Sequence, residues 1–411
     1  MKVLALGGPG AMGAVAVRIA AGLAGLEEIV IADRDLGAAQ RLARELAHSP
    51  VPVRALEVDV TDDSALRNAL SGADLVLNTV GPYYRFGPTV LRAAIETGTH
   101  YLDICDDWEP TVRMLELDAA ARGHGVCAVI GMGASPGMSN LLAALAAAEL
   151  DTVRDAYTAW AVDAGETPVD MEEQILGPDG RPTAAAVHWM QQASGVITVV
   201  RDGVPAEVRP LRPIPLTLPG GRRGAGYSIG HPEPITLRRS LKLSGDALNL
   251  MVLKPWTLAY LDTLRRDIDS GRLTNETAAA LLTKPTIVRG LRSIPTALRT
   301  AGPGNLPPFF ALVSGTKKGR DRTVLAHPNL TGPSSDPVHG LLTDMARATG
   351  IPLALGMYQV VDGSVRTPGV HAPEEVIDPA RFFTDLGRTL GRDPGTPIYL
   401  VEQEPSDAAG R

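Results

Sequence analysis

A glycine-rich segment near the N-terminus has the spacing of a dinucleotide-binding loop. Gly8, Gly10 and Gly13 form G-x-G-x-x-G after an apolar run at residues 3–6 and before a predicted helix. In this pattern the first glycine permits a tight turn, the second lets the backbone approach a pyrophosphate, and the third lets the helix pack against the strand. A glycine-rich turn that binds no ligand is the alternative interpretation.

Further residues extend this candidate site along the predicted strand ends. The amides of Ala11 and Met12 open the helix, whose dipole favours an anion. Asp33 ends the second predicted strand, twenty residues past Gly13, where an acid hydrogen-bonds the adenosine ribose hydroxyls. Arg34 follows and could stack on adenine or pair with a 2′-phosphate. Because Asp33 favours NAD and Arg34 permits NADP, the cofactor is expected to be NAD(P), with both forms open.

Two more strand ends border the same site. Asp59 and Val60 end the third predicted strand and would border the adenine, although Asp59 could instead cap the following helix with Thr61 and Asp62. The fourth strand leads into a loop that would pass close to the nicotinamide, since ligands of open α/β sheets lie outside the carboxyl ends of the strands. The cofactor-binding residues of this loop are expected to be Val80, Gly81 and Pro82.

Carboxylates, a thiol and two tyrosines follow the fourth and fifth predicted strands. Like charges as close as Asp103, Asp106 and Asp107 should raise at least one carboxyl pKa, which would suit a general acid or base. Capping of the next helix by Asp106 or Asp107 is the alternative. Neighbouring acids raise the pKa of a thiol, so Cys105 is not expected to be a nucleophile. The candidate catalytic residues are Asp103, Asp106 and Tyr83, while Tyr84 and Cys105 are candidates for substrate contact.

A glycine-rich loop at residues 131–137 follows the sixth predicted strand. The amides of Gly133, Ser135 and Gly137 could bind a substrate carboxylate or the nicotinamide amide, or the segment could be a turn that links domains. No Cys/His cluster has zinc-ligand spacing, so no metal site is predicted. No Ser-x-x-x-Lys or Tyr-x-x-x-Lys dyad is placed as in short-chain reductases, which counts against simple alcohol chemistry.

The elements that would position these residues form a regular alternation. Six short apolar runs alternate with helical stretches up to residue 130, which predicts a parallel, doubly wound Rossmann sheet. A second, mixed α/β substrate domain is expected after it. Single helices are predicted over residues 110–122, 258–282 and 338–349, with a hairpin between residues 309 and 326. The predicted domains are a Rossmann domain at 1–135, a substrate and dimerisation domain at 136–378, and a C-terminal helix and tail at 379–411 that returns to the Rossmann domain.

Composition excludes several classes of partner. The 411 residues are 45% hydrophobic and 21% charged, as in a globular protein. A net charge of −7 argues against nucleic acid, which selects basic surfaces. The longest apolar stretch is too short to span a bilayer, so no membrane is expected. Two cysteines cannot form a disulfide framework, which predicts a reducing, cytoplasmic location.

Together these motifs resemble the saccharopine dehydrogenase and saccharopine reductase-like family, which includes carboxynorspermidine dehydrogenases. The segments that carry the resemblance are residues 8–13, 32–35, 58–60, 78–83, 101–106, 131–137, 369–375 and 382–386. The resemblance implies an NAD(P)-binding domain, an α/β substrate domain, a homodimer, and hydride transfer at a C–N bond of a small amino-acid-like substrate. The alternatives are a reductase acting on C=O or C=C bonds and a non-catalytic dinucleotide-binding sensor or scaffold.

Overall fold

The computed structural model divides the chain into two units, each formed from two segments of the sequence. The first unit comprises Met1–Leu141 and Asn329–Ile398, and the second comprises Leu142–Pro328 and Tyr399–Arg411. The structure describes residues 1–161, 175–176, 180–333 and 335–403. The last part of the predicted tail, residues 404–411, lies outside the described residues. The predicted roles of the three domains stay a prediction.

Sixteen strands are present in the described part of the chain. In chain order they are β1 (Lys2–Leu6), β2 (Glu28–Asp33), β3 (Val53–Glu57), β4 (Leu75–Asn78), β5 (His100–Asp103), β6 (Cys127–Val129), β7 (Thr152–Ala161), β8 (Ile197–Arg201), β9 (Val204–Val208), β10 (Pro213–Thr217), β11 (Arg223–Ile229), β12 (Ala247–Val252), β13 (Phe309–Lys317), β14 (Arg320–Pro328), β15 (Gly369–His371) and β16 (Tyr399–Gln403).

The described residues also form α-helices. They are α1 (Ala11–Ala20), α2 (Leu36–Glu45), α3 (Asp63–Ser71), α4 (Tyr83–Thr97), α5 (Trp108–Leu115), α6 (Asp118–Gly123), α7 (Met138–Ala147), α8 (Ala184–Gln192), α9 (Glu233–Leu241), α10 (Pro255–Asp269), α11 (Asn275–Thr283), α12 (Ile287–Ala297), α13 (Pro337–Thr343), α14 (Met345–Val361), α15 (Pro373–Val376) and α16 (Pro379–Thr389). None of the helices in these ranges is long and apolar enough to cross a membrane.

The first unit is built on a seven-stranded parallel sheet with the order β15-β6-β5-β4-β1-β2-β3. Its central strands β1 and β4 are apolar and buried, as expected for a parallel sheet with helices on both faces. The chain order reverses between β1 and β4, which places a topological switch point beside the glycine loop. The predicted Rossmann sheet and α/β class are confirmed, with β15 as a seventh strand that the sequence analysis did not predict.

Three predicted single helices are each interrupted, so those predictions were wrong. Residues 110–122 lie in α5 and α6 with a turn between them, and residues 258–282 lie in α10 and α11. Thr274 caps the start of α11, because its side chain accepts a hydrogen bond from the Thr277 amide. Residues 338–349 are split at Asp344, which caps α14 by accepting from the Arg347 amide at 3.0 Å. In the last two cases a capping side chain fixes a new helix start.

The second unit contains a mixed sheet with the order β10-β11-β12-β7-β13-β14-β16, to which β8 and β9 are attached. β7 and β12 pair in parallel, whereas β7 and β13 pair antiparallel. β13 and β14 form the predicted hairpin, which extends as far as the pair Lys317 and Arg320. The α8, α10 and α11 side chains pack on one face of this sheet around Met251 and Leu253. The predicted second, mixed α/β domain is therefore confirmed.

Candidate active site

The glycine loop between β1 and α1 is a tight turn closed by backbone hydrogen bonds. The Gly7 amide donates to the Ala32 carbonyl at 2.9 Å, and the Gly10 amide donates to the Gly7 carbonyl at 2.9 Å. The left-handed backbone angle falls on Gly7, with φ +71°, and not on Gly8, to which the sequence analysis gave the turn. Gly8 instead lies close to Ala5, because a Cβ there would come within 3.0 Å of the Ala5 carbonyl oxygen.

Gly13 brings α1 directly against this loop. A Cβ on Gly13 would lie 2.6 Å from the Gly7 carbonyl oxygen and 2.7 Å from Thr79 Oγ1. Thr79 is itself fixed because its hydroxyl donates to the Leu6 carbonyl at 2.9 Å. The predicted close packing of helix and strand therefore occurs here, and it also involves the residue that follows β4.

Gly10 leaves open space at the start of α1. Among the described residues, the only atom that a Cβ on Gly10 would meet within 4 Å is the Gly7 carbonyl oxygen, at 3.1 Å. No side chain in the described part of the chain caps α1, so the first amides of the helix, including those of Ala11, Met12 and Gly13, have no capping partner there. Free helical amides beside an open backbone fit a pyrophosphate.

Asp33 and Arg34 lie where the second strand ends. One carboxylate oxygen of Asp33 accepts the Asp35 amide at 2.9 Å, and the other has no hydrogen bond among the described residues. Arg34 is exposed. The second Asp33 oxygen could therefore accept from a ribose hydroxyl, and the Arg34 guanidinium could contact a 2′ substituent.

Asp59 belongs to a local turn. It accepts the Thr61 hydroxyl at 2.7 Å and the Thr61 amide at 2.8 Å, and these bonds are the main cause of its lowered pKa. The nearby guanidiniums of Arg34 and Arg85 lower that pKa further. The cap of α3 is Asp62, which accepts the Ala65 amide. Two cations and one carboxylate therefore lie around this strand end.

The loop after β4 is held by the fully buried Asn78. The Val80 amide donates to Asn78 Oδ1 at 3.1 Å, and Val60 and Val80 pack partly buried against the core of the first unit. Gly81 and Pro82 complete the loop before α4 begins at Tyr83. The three predicted cofactor residues of this loop thus lie at the carboxyl end of a central strand, next to the glycine loop.

The two tyrosines of this loop have different environments. Tyr83 is buried, and its hydroxyl donates to the Asn78 carbonyl at 2.8 Å. Burial, followed by the charge of Asp103, raises the pKa of Tyr83 well above its ordinary value. Tyr84 points outward, with 49% of its surface exposed. Tyr83 therefore packs under the loop, whereas Tyr84 is open to a ligand.

Asp103 is the centre of a buried hydrogen-bond network. Its side chain is 0% exposed; Tyr101 Oη donates to one oxygen at 2.7 Å, and the amides of Gly131 and Cys105 donate to the other at 2.7 and 3.0 Å. Asn78 Nδ2 donates to Tyr101 Oη at 3.0 Å. Burial raises the pKa of Asp103 to about 6, against the effect of the two amides. The network ties together the loops that follow β4, β5 and β6.

The remaining groups after β5 are buried to different degrees. The Cys105 thiol is fully buried, and burial and then the charge of Asp103 raise its pKa well above its ordinary value. Its sulfur lies 3.7 Å from Thr111 Oγ1. Asp107 occupies the cap position of α5, but its side chain makes no capping bond. Asp106 is half-buried between them, and of the three carboxylates it is the most accessible.

The loop at residues 131–137 is internally bonded. The Gly133 amide donates to the Pro136 carbonyl at 2.9 Å, and the Gly137 amide donates to Asn140 Oδ1 at 3.0 Å. Gly137 has φ +120°, and a Cβ there would overlap the Gly133 carbonyl oxygen. Two of the amides proposed for anion binding are thus already used, while Ser135 stays half-buried between them.

The structure therefore brings the predicted residues into two groups. One surrounds the start of α1, and the other is the Asp103 network. Sequence reasoning missed Gly7, Thr79, Asn78 and Tyr101, although a polar residue within an apolar strand end is a usable signal. Among the described residues, no group of three or more His, Cys, Asp or Glu side chains could hold a metal ion.

A separate buried polar cluster lies in the second unit. Asn249 Nδ2 donates to Glu233 Oε1 at 2.7 Å and to Thr158 Oγ1 at 2.9 Å. His231 Nδ1 lies 3.2 Å from the second carboxylate oxygen of Glu233, and Trp160 Nε1 donates to Asn249 at 2.9 Å. The buried carboxylate is thus compensated by polar neighbours on an otherwise apolar sheet face.

Comparisons with known proteins match both the first unit and the chain as a whole. Residues 3–129 match the family model described as the saccharopine dehydrogenase NADP binding domain. The chain is 23% identical to carboxyaminopropylagmatine dehydrogenase of Synechocystis sp. over 92% of this chain and 94% of that protein. It is 35% identical to the NADP(+), L-glutamate-forming saccharopine dehydrogenase of Saccharomyces cerevisiae over 115 residues, which are 28% of this chain and 24% of that protein.

A solved structure shares the fold along nearly the whole chain. The apo saccharopine dehydrogenase (L-Glu forming) of Saccharomyces cerevisiae matches with a TM-score of 0.58 and 18% identity, covering 98% of this chain and 99% of that one. The predicted resemblance, the NAD(P) cofactor and the dehydrogenase class are confirmed. The chain is therefore an NAD(P)-dependent oxidoreductase, and its residues 3–129 match the saccharopine dehydrogenase NADP binding domain family.

Proposed function

We propose that this chain transfers a hydride at a C–N bond of a small amino-acid-like substrate, by imine reduction or amine oxidation. The proposal rests on the similarity along nearly the whole chain to a protein named carboxyaminopropylagmatine dehydrogenase. That name denotes a substrate with amino and carboxyl groups. Bound NAD(P) supplies or accepts the hydride. The chain itself binds and orients the dinucleotide, excludes water and moves the accompanying proton.

The described geometry suggests how the work is divided among the first unit's residues. The amides of Ala11, Met12 and Gly13 hold the pyrophosphate, and Asp33 accepts from the ribose hydroxyls. Val80, Gly81 and Pro82 border the nicotinamide, and the exposed Tyr84 and the half-buried Ser135 contact the substrate.

Proton transfer is assigned to the most accessible carboxylate. Asp106 is half-buried, whereas Asp103 is fully buried. Asp103 and Tyr83 are therefore proposed as positioning residues that hold the loops around the reacting atoms. Cys105, Gly133 and Gly137 support the same loops from inside.

The reaction is tested with defined mixtures of amines and aldehydes. Reduced cofactor should disappear only when both an amine and a carbonyl compound are present, because the imine forms from the pair. Asp106→Asn should lower kcat and leave the dissociation constant of the cofactor unchanged. Consumption with a carbonyl or an alkene alone would replace the proposal by C=O or C=C reduction, and tight cofactor binding without any turnover would indicate a non-catalytic binder.

The form of the cofactor is decided by titrating NADH and NADPH into wild type and Arg34→Ala. Selective loss of NADPH affinity would place Arg34 on the 2′-phosphate, since a guanidinium pairs with phosphate in a bidentate manner. If the wild type prefers NADH and Arg34→Ala has the same preference, Asp33 is the ribose ligand and Arg34 does not contact the cofactor.

The enzyme is also proposed to be a cytoplasmic homodimer. Both cysteines, Cys105 and Cys127, are free and buried, which suits a reducing compartment. The dimer follows from the family resemblance and is tested by light scattering during gel filtration. A molar mass of one chain at all concentrations would refute it.

A further inference from the structure

The helix α12 carries an apolar face that the rest of the second unit leaves uncovered. Five aliphatic side chains on or just after this helix are exposed to solvent. They are Ile287 (83%), Val288 (68%), Leu291 (62%), Ile294 (36%) and Leu298 (79%). Soluble monomers rarely leave such a continuous apolar stripe in water, so the face is expected to meet a partner.

The spacing of these residues indicates what kind of partner fits. Ile287, Leu291, Ile294 and Leu298 follow one another at intervals of four, three and four residues. This alternation is the a/d pattern of a seam between two packed helices. Gly290 lies beside the seam, and no described residue outside its own helix backbone comes within 4 Å of its Cβ position, so a second helix can approach closely. The face is therefore shaped for another α-helix.

The charges of α12 are held away from this seam. Arg289 Nε lies 2.9 Å from Asp267 Oδ2 on α10, and Arg292 Nη2 lies 2.9 Å from Asp267 Oδ1. These pairs lower the pKa of Asp267, first through Arg292. Because its central arginines are engaged within the unit, the helix offers few free cations to an anionic lipid surface, which selects a lysine- and arginine-rich polar face.

A second copy of the same face fits both the a/d spacing of the seam residues and the lack of free charges on α12. The seam positions are all uncharged, so two copies related by a two-fold axis would place no like charges opposite each other. Five side chains about two-thirds exposed on average present on the order of 500 Å² per copy, against the roughly 800 Å² that each partner buries in an interface of standard size. The face can thus supply the hydrophobic centre of a dimer interface, and neighbouring polar surface would form its rim.

We propose that two copies of this chain pair through α12, with the side chains of Ile287, Leu291, Ile294 and Leu298 interdigitating across the two-fold axis. The inference rests on the proposed homodimer and adds the surface that forms it. It is independent of the proposed reaction, because none of these residues belongs to the cofactor or substrate site.

The test compares Leu291→Glu and Leu298→Glu with the matched control Val196→Glu. Val196 is another exposed aliphatic residue of the second unit, at 56%, and lies outside α12. Molar mass is measured by light scattering and sedimentation over a range of protein concentrations, and cofactor titration verifies that each variant is folded. The expected result is a wild-type dimer, at least a tenfold rise in the dimer dissociation constant for both α12 variants, and no change for Val196→Glu.

Three results would overturn the inference, and they have different consequences for the proposed homodimer and the proposed reaction. A monomeric wild type removes the homodimer as well, while the turnover assay can still succeed. If both α12 variants are still dimeric, the homodimer stands and only the assignment of its interface to α12 is wrong. Binding of the wild type to phosphatidylglycerol vesicles, lost in Leu291→Glu, would assign the face to a lipid surface instead.

Discussion

Gly10 offers a direct test of the nucleotide site, because its substitution separates ligand binding from folding. Its backbone angles, φ −63° and ψ 164°, are ones that alanine adopts freely. The new Cβ would meet one atom, the Gly7 carbonyl oxygen at 3.1 Å, so the free energy of unfolding should change by no more than about 0.5 kcal/mol. The same Cβ would project into the space assigned to the pyrophosphate.

The loss of affinity follows from the hydrogen bonds at the start of α1. A hydrogen bond to a charged group contributes about 1.5–3 kcal/mol, so displacing the pyrophosphate from one amide should cost roughly 2 kcal/mol. This corresponds to about a 30-fold rise in the dissociation constant of the cofactor. Fluorescence titration with NADH and NADPH measures the dissociation constants, and thermal unfolding measures the stability.

Gly13→Ala provides the contrast within the same motif. Its Cβ would lie 2.6 Å from the Gly7 carbonyl oxygen and 2.7 Å from Thr79 Oγ1, and overpacking of this kind costs about 1–3 kcal/mol. This variant should therefore lose both stability and affinity, whereas Gly10→Ala should lose affinity alone. Wild-type cofactor affinity in Gly10→Ala would refute the placement of the pyrophosphate.

Three further predictions concern the loops around the site. Burial raises the pKa of Asp103 to about 6 in the folded protein, so the stability contributed by its protonated form, roughly 3 kcal/mol at most, should be fully present below about pH 3.8 and lost as the pH rises through about 6. Asp103→Asn should remove that pH dependence from thermal unfolding curves, and the same pH dependence in both proteins would contradict the prediction. Gly137→Ala should prevent stable folding because its Cβ overlaps the Gly133 carbonyl oxygen, while Gly123→Ala, with open space around it, should unfold near the wild-type temperature. The buried Cys105 thiol should resist iodoacetamide at neutral pH until the protein is unfolded, as mass spectrometry would record, and rapid labelling of the native protein would disprove its burial.

Local patterns sufficed to predict most of the first unit. The glycine spacing, the apolar strands and Asp33 are all encoded within short segments, and the structure places them together as expected. β15 escaped prediction because it has only three residues, and its partner β6 lies some 240 positions earlier in the chain. Its pairing is a tertiary event that no local period can signal.

The interior of the site was less accessible to sequence reasoning. Asp103 and Asp106 are both acidic residues after the same strand, yet one is enclosed and the other is half-buried. That difference depends on Tyr101 and on the Gly131 amide, which reaches Asp103 from a different loop. In the same way, the turn fell on Gly7 because the Ala32 carbonyl on β2 fixes the amide of that residue.

The position of β15 late in the chain affects the order in which the first unit can fold during synthesis. During synthesis, β1 to β6 leave the ribosome long before Gly369–His371, so β6 must wait as an unprotected sheet edge while the whole second unit is translated. A gene fragment that stops at Leu141 would consequently yield an incomplete sheet, prone to aggregation. A minimal nucleotide-binding fragment should instead join residues 1–141 to residues 329–398 through a short linker.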